Sequence, residues 1–401
     1  MSNIALVGTY NGFNIVDESG ISPLGSGPSR ILDIATDEQG QVWAISSGGL
    51  NVFNGQSWTS YQRPEGVYTL DAIAIAPDGR VWLGHYGGVS VLDEGQWLSY
   101  SSDEFGLGDS AGMINDVAID HQGRTWVATS SGVAVLDGDS WTAYDESSSL
   151  TNNYTEAIAV DHQGKVWVAH SYGVDVFDGS SWIFYGEKYG KEAQIEVGAL
   201  SSVDALAVDS QGYIWAGTYS HGLSVFNGSD WNTYDSREYF YGSSVSAIAC
   251  DSQGRVWLGT NFGLAVFDGS SWFHYTKNSS ELLSNKVDAI LVTDAGPSSL
   301  PQAPALEPGN VMGKIEDNGQ PVAGATVVVC WHASAFYSGD SPCSGDSYSA
   351  VTDENGDFFI SDVPPYKYGL AIQSPDGSWQ VLMGYIYVID GETTDLETLS
   401  I

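Results

Sequence analysis

Short runs in which apolar residues alternate with small or polar ones recur through the first three quarters of the chain, as in Leu70-Asp71-Ala72-Ile73-Ala74-Ile75, and Asp-Gly, Gly-Gly and Asn-Gly pairs punctuate them. A period of two bounded by turn residues marks β-strands. One unit reads as strand a (Ala72 to Ala76), strand b (Val81 to His85), strand c (Val89 to Leu92) and strand d (Gln96 to Tyr100), with two to four residues between them. Only hairpins fit links that short, so each unit is a four-stranded antiparallel meander.

The unit repeats. Its strand b carries a tryptophan at Trp43, Trp82, Trp126, Trp167, Trp215 and Trp257, with a period of 39 to 48 residues; a second tryptophan follows 15 or 16 residues later and a tyrosine three beyond that. A lone meander cannot bury both faces, so units of this length are expected to pack radially as propeller blades. On strand a, Ala74, Ala118, Ala159, Ala207 and Ala249 are small while their neighbours Ile73, Val117, Ile158, Leu206 and Ile248 are large. That contrast lets blades interdigitate, with the strand-b tryptophan filling the space between them. The chain ends carry matching fragments. Leu6 to Val16 aligns with strands b and c, and Val287 to Val292 supplies a strand a, which predicts a seventh blade built from both ends and a ring without open edges. The propeller is expected over residues 1–294.

The recurring strand, Asp-x-x-Gly, Trp-x-Gly-Thr, Gly-Leu-x-Val-Phe pattern, met at Asp209 to Phe226 and Asp251 to Phe267, resembles the two-component regulator propeller family. The resemblance implies a ligand-sensing propeller of a kind often fused to a membrane helix and a histidine kinase. The Asp-x-x-Gly turns at Asp37, Asp120, Asp161, Asp209 and Asp251 read as turn chemistry rather than metal loops, because each offers a single carboxylate. After Asp294 a Pro-rich stretch reads as a linker over 295–309. Residues 310–401, with Val311-Met312-Gly313-Lys314-Ile315, Gly319 to Val329, Thr352 to Phe358 and Val363-Pro364-Pro365, look like a carboxypeptidase-regulatory-like module. That resemblance implies a transthyretin-like, Ig-like β-sandwich without a peptidase site, acting as a spacer or as a surface for a protein partner or self-assembly. The expected fold is all-β: a seven-bladed propeller plus a small sandwich.

Composition narrows the partners. Fifty acidic residues against 13 basic ones give a net charge of −37, which repels nucleic acid and anionic lipid. No apolar run long enough for a membrane helix is present, so no direct membrane insertion is expected. No secretory signal is legible before the first strand, which implies a mature or clipped chain or another export route. Cys330 and Cys343 bracket a polar loop, and a disulfide between them would imply an oxidising compartment; the expected location is extracellular or at the cell surface.

Hairpin order places a–b and c–d turns on one face of the ring and b–c turns with the long d-to-a connections on the other. The second face varies in length and sequence, as at Ser101 to Met113, Gly186 to Ser202 and Asp235 to Ser244, and variable loops on a rigid frame are where recognition sits. Just after the b strands it collects Tyr10, His85, Tyr86, His170, Tyr172, Tyr219, His221 and Phe262, with Tyr241 in a d-to-a connection. Aromatics with a few polar groups suit a glycan, a peptide or another small ligand. At the inner end of strand a, Asp71, Glu156, Asp204 and Asp288 form a polar ring with Leu32, Asn115 and Ser246, and four inward carboxylates are a candidate Ca²⁺ site; no other cofactor is expected. Two other functions stay open. One is a structural surface or assembly protein. The other is a propeller lyase or hydrolase using His85, His170 and the channel carboxylates, in distant resemblance to antibiotic-inactivating propeller lyases whose catalytic motif is not matched.

Overall fold

A computed structural model describes residues 4–25, 27–108, 112–187, 200–235, 239–240, 244–293, 296–297, 299–302, 307–333 and 343–401. The repeated meanders fold as seven four-stranded antiparallel sheets. Numbered by their a strands, blades 1 to 7 begin at Ile31, Ala72, Ile114, Thr155, Val203, Val245 and Val287. Each strand a lies against the next and the seventh against the first, which closes the ring. Blade 7 takes strand a from Val287–Val292 and its other strands from Ala5–Thr9, Gly12–Asp17 and Gly20–Pro23, with Ala5 opposite Val292 and Val7 opposite Ile290. A Thr293 hydroxyl donating to Ile4 O at 2.9 Å fastens the seam.

The tryptophans fill the spaces between blades. Trp126 of blade 3 stacks on its own Tyr144 and meets Phe177 and Trp182 of blade 4; Trp167 repeats the arrangement with Tyr185, Phe226 and Trp231. The Asp-x-x-Gly turn anchors the same ring. In blades 1, 3, 4, 5 and 6 one Asp oxygen accepts the backbone N–H groups two and four residues on, and the other accepts the indole Nε1–H six residues on, at 2.8–2.9 Å. A negative acceptor in a buried site makes this a strong hydrogen bond. Blade 2 has Ala76 in that place, and Trp82 Nε1 is buried without a partner.

Two glycines of the repeat are sterically required. In the b–c turn Gly88, Gly132, Gly173 and Gly263 hold φ between 128° and 149°, where an added Cβ would run into the carbonyl oxygen of Tyr100, Tyr144, Tyr185 or Tyr275 on strand d. In strand b, a Cβ at Gly84, Gly217 or Gly259 would lie 2.5–2.7 Å from Ile114, Val245 or Val287 of the next blade. These glycines set the close approach between strands and between blades.

The chain divides into two units, Met1–Ala303 and Pro304–Ile401. The break falls inside the expected linker. Its first part belongs to the propeller: Leu300 packs on the blade 6–7 core and Pro301 O accepts the Tyr275 hydroxyl at 2.7 Å. The second unit has two four-stranded sheets. In one, Gly309–Asp317 pairs antiparallel with Asp357–Val363 and parallel with Thr393–Ser400; the other runs Cys343–Val351, Thr326–Ala333, Tyr366–Gln373, Trp379–Val388. Val311, Ile315, Phe358 and Ile360 from the first share a buried core with Val327, Val329, Leu370 and Ile372 from the second. Cys330 and Cys343 are joined by a disulfide, with Cα atoms 5.8 Å apart. Among the described residues no helix is long and apolar enough to cross a membrane.

Candidate functional site

The inner a strands of all seven blades line one cavity of about 220 Å³. The four carboxylates expected there are present, Asp71, Glu156, Asp204 and Asp288, and the wall adds Asp33 and Asp116. In the other five blades the position of Asp33 and Asp116 is alanine: Ala72, Ala157, Ala205, Ala247 and Ala289. Each of the two aspartates clips neighbouring blades together. Asp33 accepts Ile34 N at 2.8 Å in its own blade and Ile73 N at 2.8 Å in the next; Asp116 does the same with Val117 N and Ile158 N, both at 2.7 Å.

Burial dominates the electrostatics. Asp33 and Asp116 keep some exposed area toward the cavity yet are enclosed by packed strands, and desolvation pushes their pKa values up to about 6 and about 7 against the lowering effect of their backbone donors. Desolvation, with repulsion from Glu156, raises Asp204 to about 7, and burial also raises Asp71 and Glu156. Asp288 is paired with Lys286 Nζ at 2.8 Å. Among the described residues no three His, Cys, Asp or Glu side chains are grouped as a metal-ion site.

The b–c turns and d-to-a connections share a face, as the hairpin order requires, and hydrogen bonds stitch them together. The residue before a strand a lies between two turns: Arg30 N donates to Tyr10 O and Arg30 O accepts Ser47 N, while Ser202 N donates to Ser171 O and Ser202 O accepts Tyr219 N. Arg30 and Ser202 reach this geometry at φ 56° and 51°, an uncommon region for side-chain-bearing residues. The Arg30 guanidinium lies over the Tyr10 ring, 5.4 Å from its centroid.

The structure divides the candidate ligand residues. Tyr86 (73% exposed), Tyr219 (59%), Tyr10 (49%) and Tyr172 (38%) stand out from the turns, His221 is exposed, and Phe262 is half-buried. Tyr68 and Tyr154, from d-to-a connections, are also exposed on this face. Tyr241 lies outside the described residues. His85 and His170 require a correction: both are buried and turned into their blades. They occupy the last position of strand b, where Thr9, Ser46, Thr129, Thr218 and Thr260 cap the b–c turn with a hydroxyl. His170 Nδ1 accepts Tyr172 N at 3.1 Å as those hydroxyls accept the turn amide, and Phe184 stacks on the ring. Its Nε2 is 3.3 Å from Asp175, whose carboxylate is held by Thr151. His85 Nδ1 faces Tyr86 O at 3.1 Å; a carbonyl only accepts, so Nδ1 carries the hydrogen and Nε2 accepts the Ser90 hydroxyl at 2.9 Å. Desolvation holds the His85 pKa low, keeping it neutral. Neither imidazole lines the cavity, although His85 lies within electrostatic range of the cavity carboxylate Asp71.

Comparison with known proteins follows the same geometry. Residues 242–262 match the family described as two-component regulator propeller. No curated protein sequence is significantly similar to the chain. Among solved structures, the chain is similar to PorZ, an essential bacterial surface component of the type-IX secretion system of Porphyromonas gingivalis, at 15% identity and a TM-score of 0.52, over 94% of this chain and 63% of PorZ. It therefore spans less than two thirds of PorZ. A streptogramin B lyase matches at 13% identity and a TM-score of 0.53, over 69% of this chain and 90% of the lyase. Virginiamycin B lyase of Staphylococcus aureus, solved with quinupristin, matches at 12% identity and a TM-score of 0.51, over 85% of this chain and 97% of the lyase. At these identities the likenesses establish the propeller fold. The regulator-propeller match covers strands a and b of blade 6 and ends in its b–c turn.

Proposed function

We propose that the protein is a non-catalytic ligand-binding module of the sensor-propeller type, capturing a glycan or peptide on the b–c face, with the β-sandwich as a spacer at an extracellular or cell-surface location. One observation carries the reading: exposed tyrosines stand in the b–c turns of four blades, at the same end of the ring as the residues at the start of each strand a that line the cavity. Exposed aromatic side chains presented on one face supply the chemistry of a contact site. The regulator-propeller match supports a sensing role, and the disulfide supports an oxidising compartment. The likeness to PorZ favours a surface protein, with assembly rather than sensing as the second reading. A lyase reading loses its candidate acid and base, because His85 and His170 are turn caps inside the blades.

The test is a glycan and peptide array probed with the full chain, in calcium and in chelator. Retention of a ligand that is lost on Tyr86→Ala/Tyr219→Ala supports the reading. Silence in both conditions, or a ligand retained unchanged by that variant, contradicts it; dependence on calcium alone would return the carboxylates to the role of metal ligands.

A further inference from the structure

The cavity at the ring centre is too small for the ligand that the face around it could cover. Its volume of about 220 Å³ lies below the roughly 300 Å³ at which small-molecule sites begin. A single extended side chain fits; a sugar oligomer does not. The exposed rings, by contrast, come from turns of four different blades, at Tyr10, Tyr86, Tyr172 and Tyr219. A ligand that uses both features is longer than the group it buries.

The wall fixes the sign of that group. Six carboxylates line the cavity, and among the described residues one cation, Lys286, pairs with one of them, Asp288. The rim already displays the complementary chemistry within the chain itself: Arg30, on a left-handed backbone, lays its guanidinium on the Tyr10 ring. Such a contact contributes about 0.5–1 kcal/mol at an exposed site, and Tyr86, Tyr172 and Tyr219 stand at corresponding b–c turns of other blades.

We propose that this mouth receives one basic side chain of a peptide, a lysine ammonium or an arginine guanidinium seated among the cavity carboxylates, while the tyrosine rim holds the flanking residues. The assignment rests on the reading of the b–c face as the binding surface and names its ligand class. A free amine would fill the cavity and leave the rim uncovered, so the peptide is the better match. The carboxylates raised toward neutrality by burial ionise fully when a cation enters, so binding releases protons and strengthens as pH rises from 6 to 8. Generic attraction to a chain of net charge −37 has no such local titration.

The experiment uses the full chain and two peptide libraries with randomised flanks, one with a fixed central arginine and one with citrulline, its uncharged analogue, in place of arginine; spermine is the free-amine arm. Arginine peptides are expected to bind at least about tenfold more tightly than citrulline peptides. Asp204→Asn/Glu156→Gln, which removes two wall charges at constant shape, is expected to erase that preference without lowering the melting temperature. Glu38→Gln, on the a–b turn of the opposite face, is expected to leave it unchanged. Equal binding of the two libraries, an equal loss with Glu38→Gln, or spermine outcompeting every peptide overturns the proposal. A citrulline peptide or neutral glycan that depends on Tyr86 and Tyr219 would overturn the cation assignment and leave the binding face intact. Binding of nothing overturns both.

Discussion

Replacing Ala76 with aspartate in blade 2 tests the repeat as a physical unit, because the chain provides its own control. The turn there has the hydrogen bonds of its counterparts: Ala76 N donates to Arg80 O and Gly79 N to Ala76 O, as Asp120 N donates to Arg124 O and Gly123 N to Asp120 O. No backbone change is needed to place a carboxylate against Trp82. Its desolvation matches the other blades, since Ala76 is 4% exposed and Asp120, Asp161, Asp209 and Asp251 are 2–7% exposed. Arg80 N already donates to Asp78 Oδ1 at 3.1 Å, so the new bond that counts is the one from the indole. A hydrogen bond to a charged group contributes about 1.5–3 kcal/mol, and the indole N–H it satisfies is otherwise buried without a partner. Less the desolvation of the added carboxylate, Ala76→Asp should stabilise the propeller by about 1–2 kcal/mol. The converse, Asp209→Ala, orphans Trp215 Nε1 and removes acceptors from Gln211 N and Tyr213 N; it should cost about 3 kcal/mol. Urea unfolding followed by tryptophan fluorescence reads both, provided the slope with denaturant stays constant between variants. A destabilising Ala76→Asp, or a change below about 0.5 kcal/mol for Asp209→Ala, would refute the claim that the aspartate is the acceptor anchoring each blade's tryptophan.

Other consequences are equally direct. Asp204, with its folded pKa raised to about 7 against about 3.9 unfolded, holds its proton in the native state over a window where the unfolded chain has lost it, so its contribution falls as pH rises from 4 to 7. Asp204→Asn should therefore match the parent at pH 4 and exceed it at pH 8 by about 2 kcal/mol, half the full linkage figure after allowance for water in the channel; equal stability at pH 8 would refute the burial argument. Cys330→Ala/Cys343→Ala should destabilise the sandwich by about 3 kcal/mol for a bridge spanning 13 residues, leaving the propeller transition in calorimetry unmoved. Gly263→Ala should lower the propeller melting temperature through the clash with Tyr275 O, whereas Ala substitution of the open-turn Gly269, with no atom near its missing Cβ, should pay only for its φ of 94° and cost less.

The blades were legible in sequence because three constraints repeat together: an indole to fill the space between blades, a glycine that lets strand c approach strand d, and a turn aspartate. The closure of blade 7 was legible from the fragments at Leu6 and Val287, since a strand with the right alternation has one place to pair. The aspartate's second task does not follow from its turn spacing, although blade 2 carries a signal in Ala76, the one complete repeat that lacks it. Asp33 and Asp116 stand outside the expected ring, at an alanine position of strand a, where a charge that interrupts a run of alanines is more informative than another carboxylate in the ring. In sequence the end of strand b, at His85 and His170, looks like the start of an exposed turn. Threonine or serine at the same position in the other five blades marks it as an inward cap. The exposed Tyr68 and Tyr154 follow from no repeat position, since d-to-a connections differ from blade to blade, and the sequence places them on the face without fixing their exposure.

The central claim is that the b–c face is the working surface, and side-chain footprinting of tyrosines, with and without a captured ligand, tests it most directly. Protection at Tyr86, Tyr172 and Tyr219, with the exposed Tyr385 of the second unit unchanged, is the predicted result. A bound ligand that leaves all three rim tyrosines as reactive as before would contradict the account.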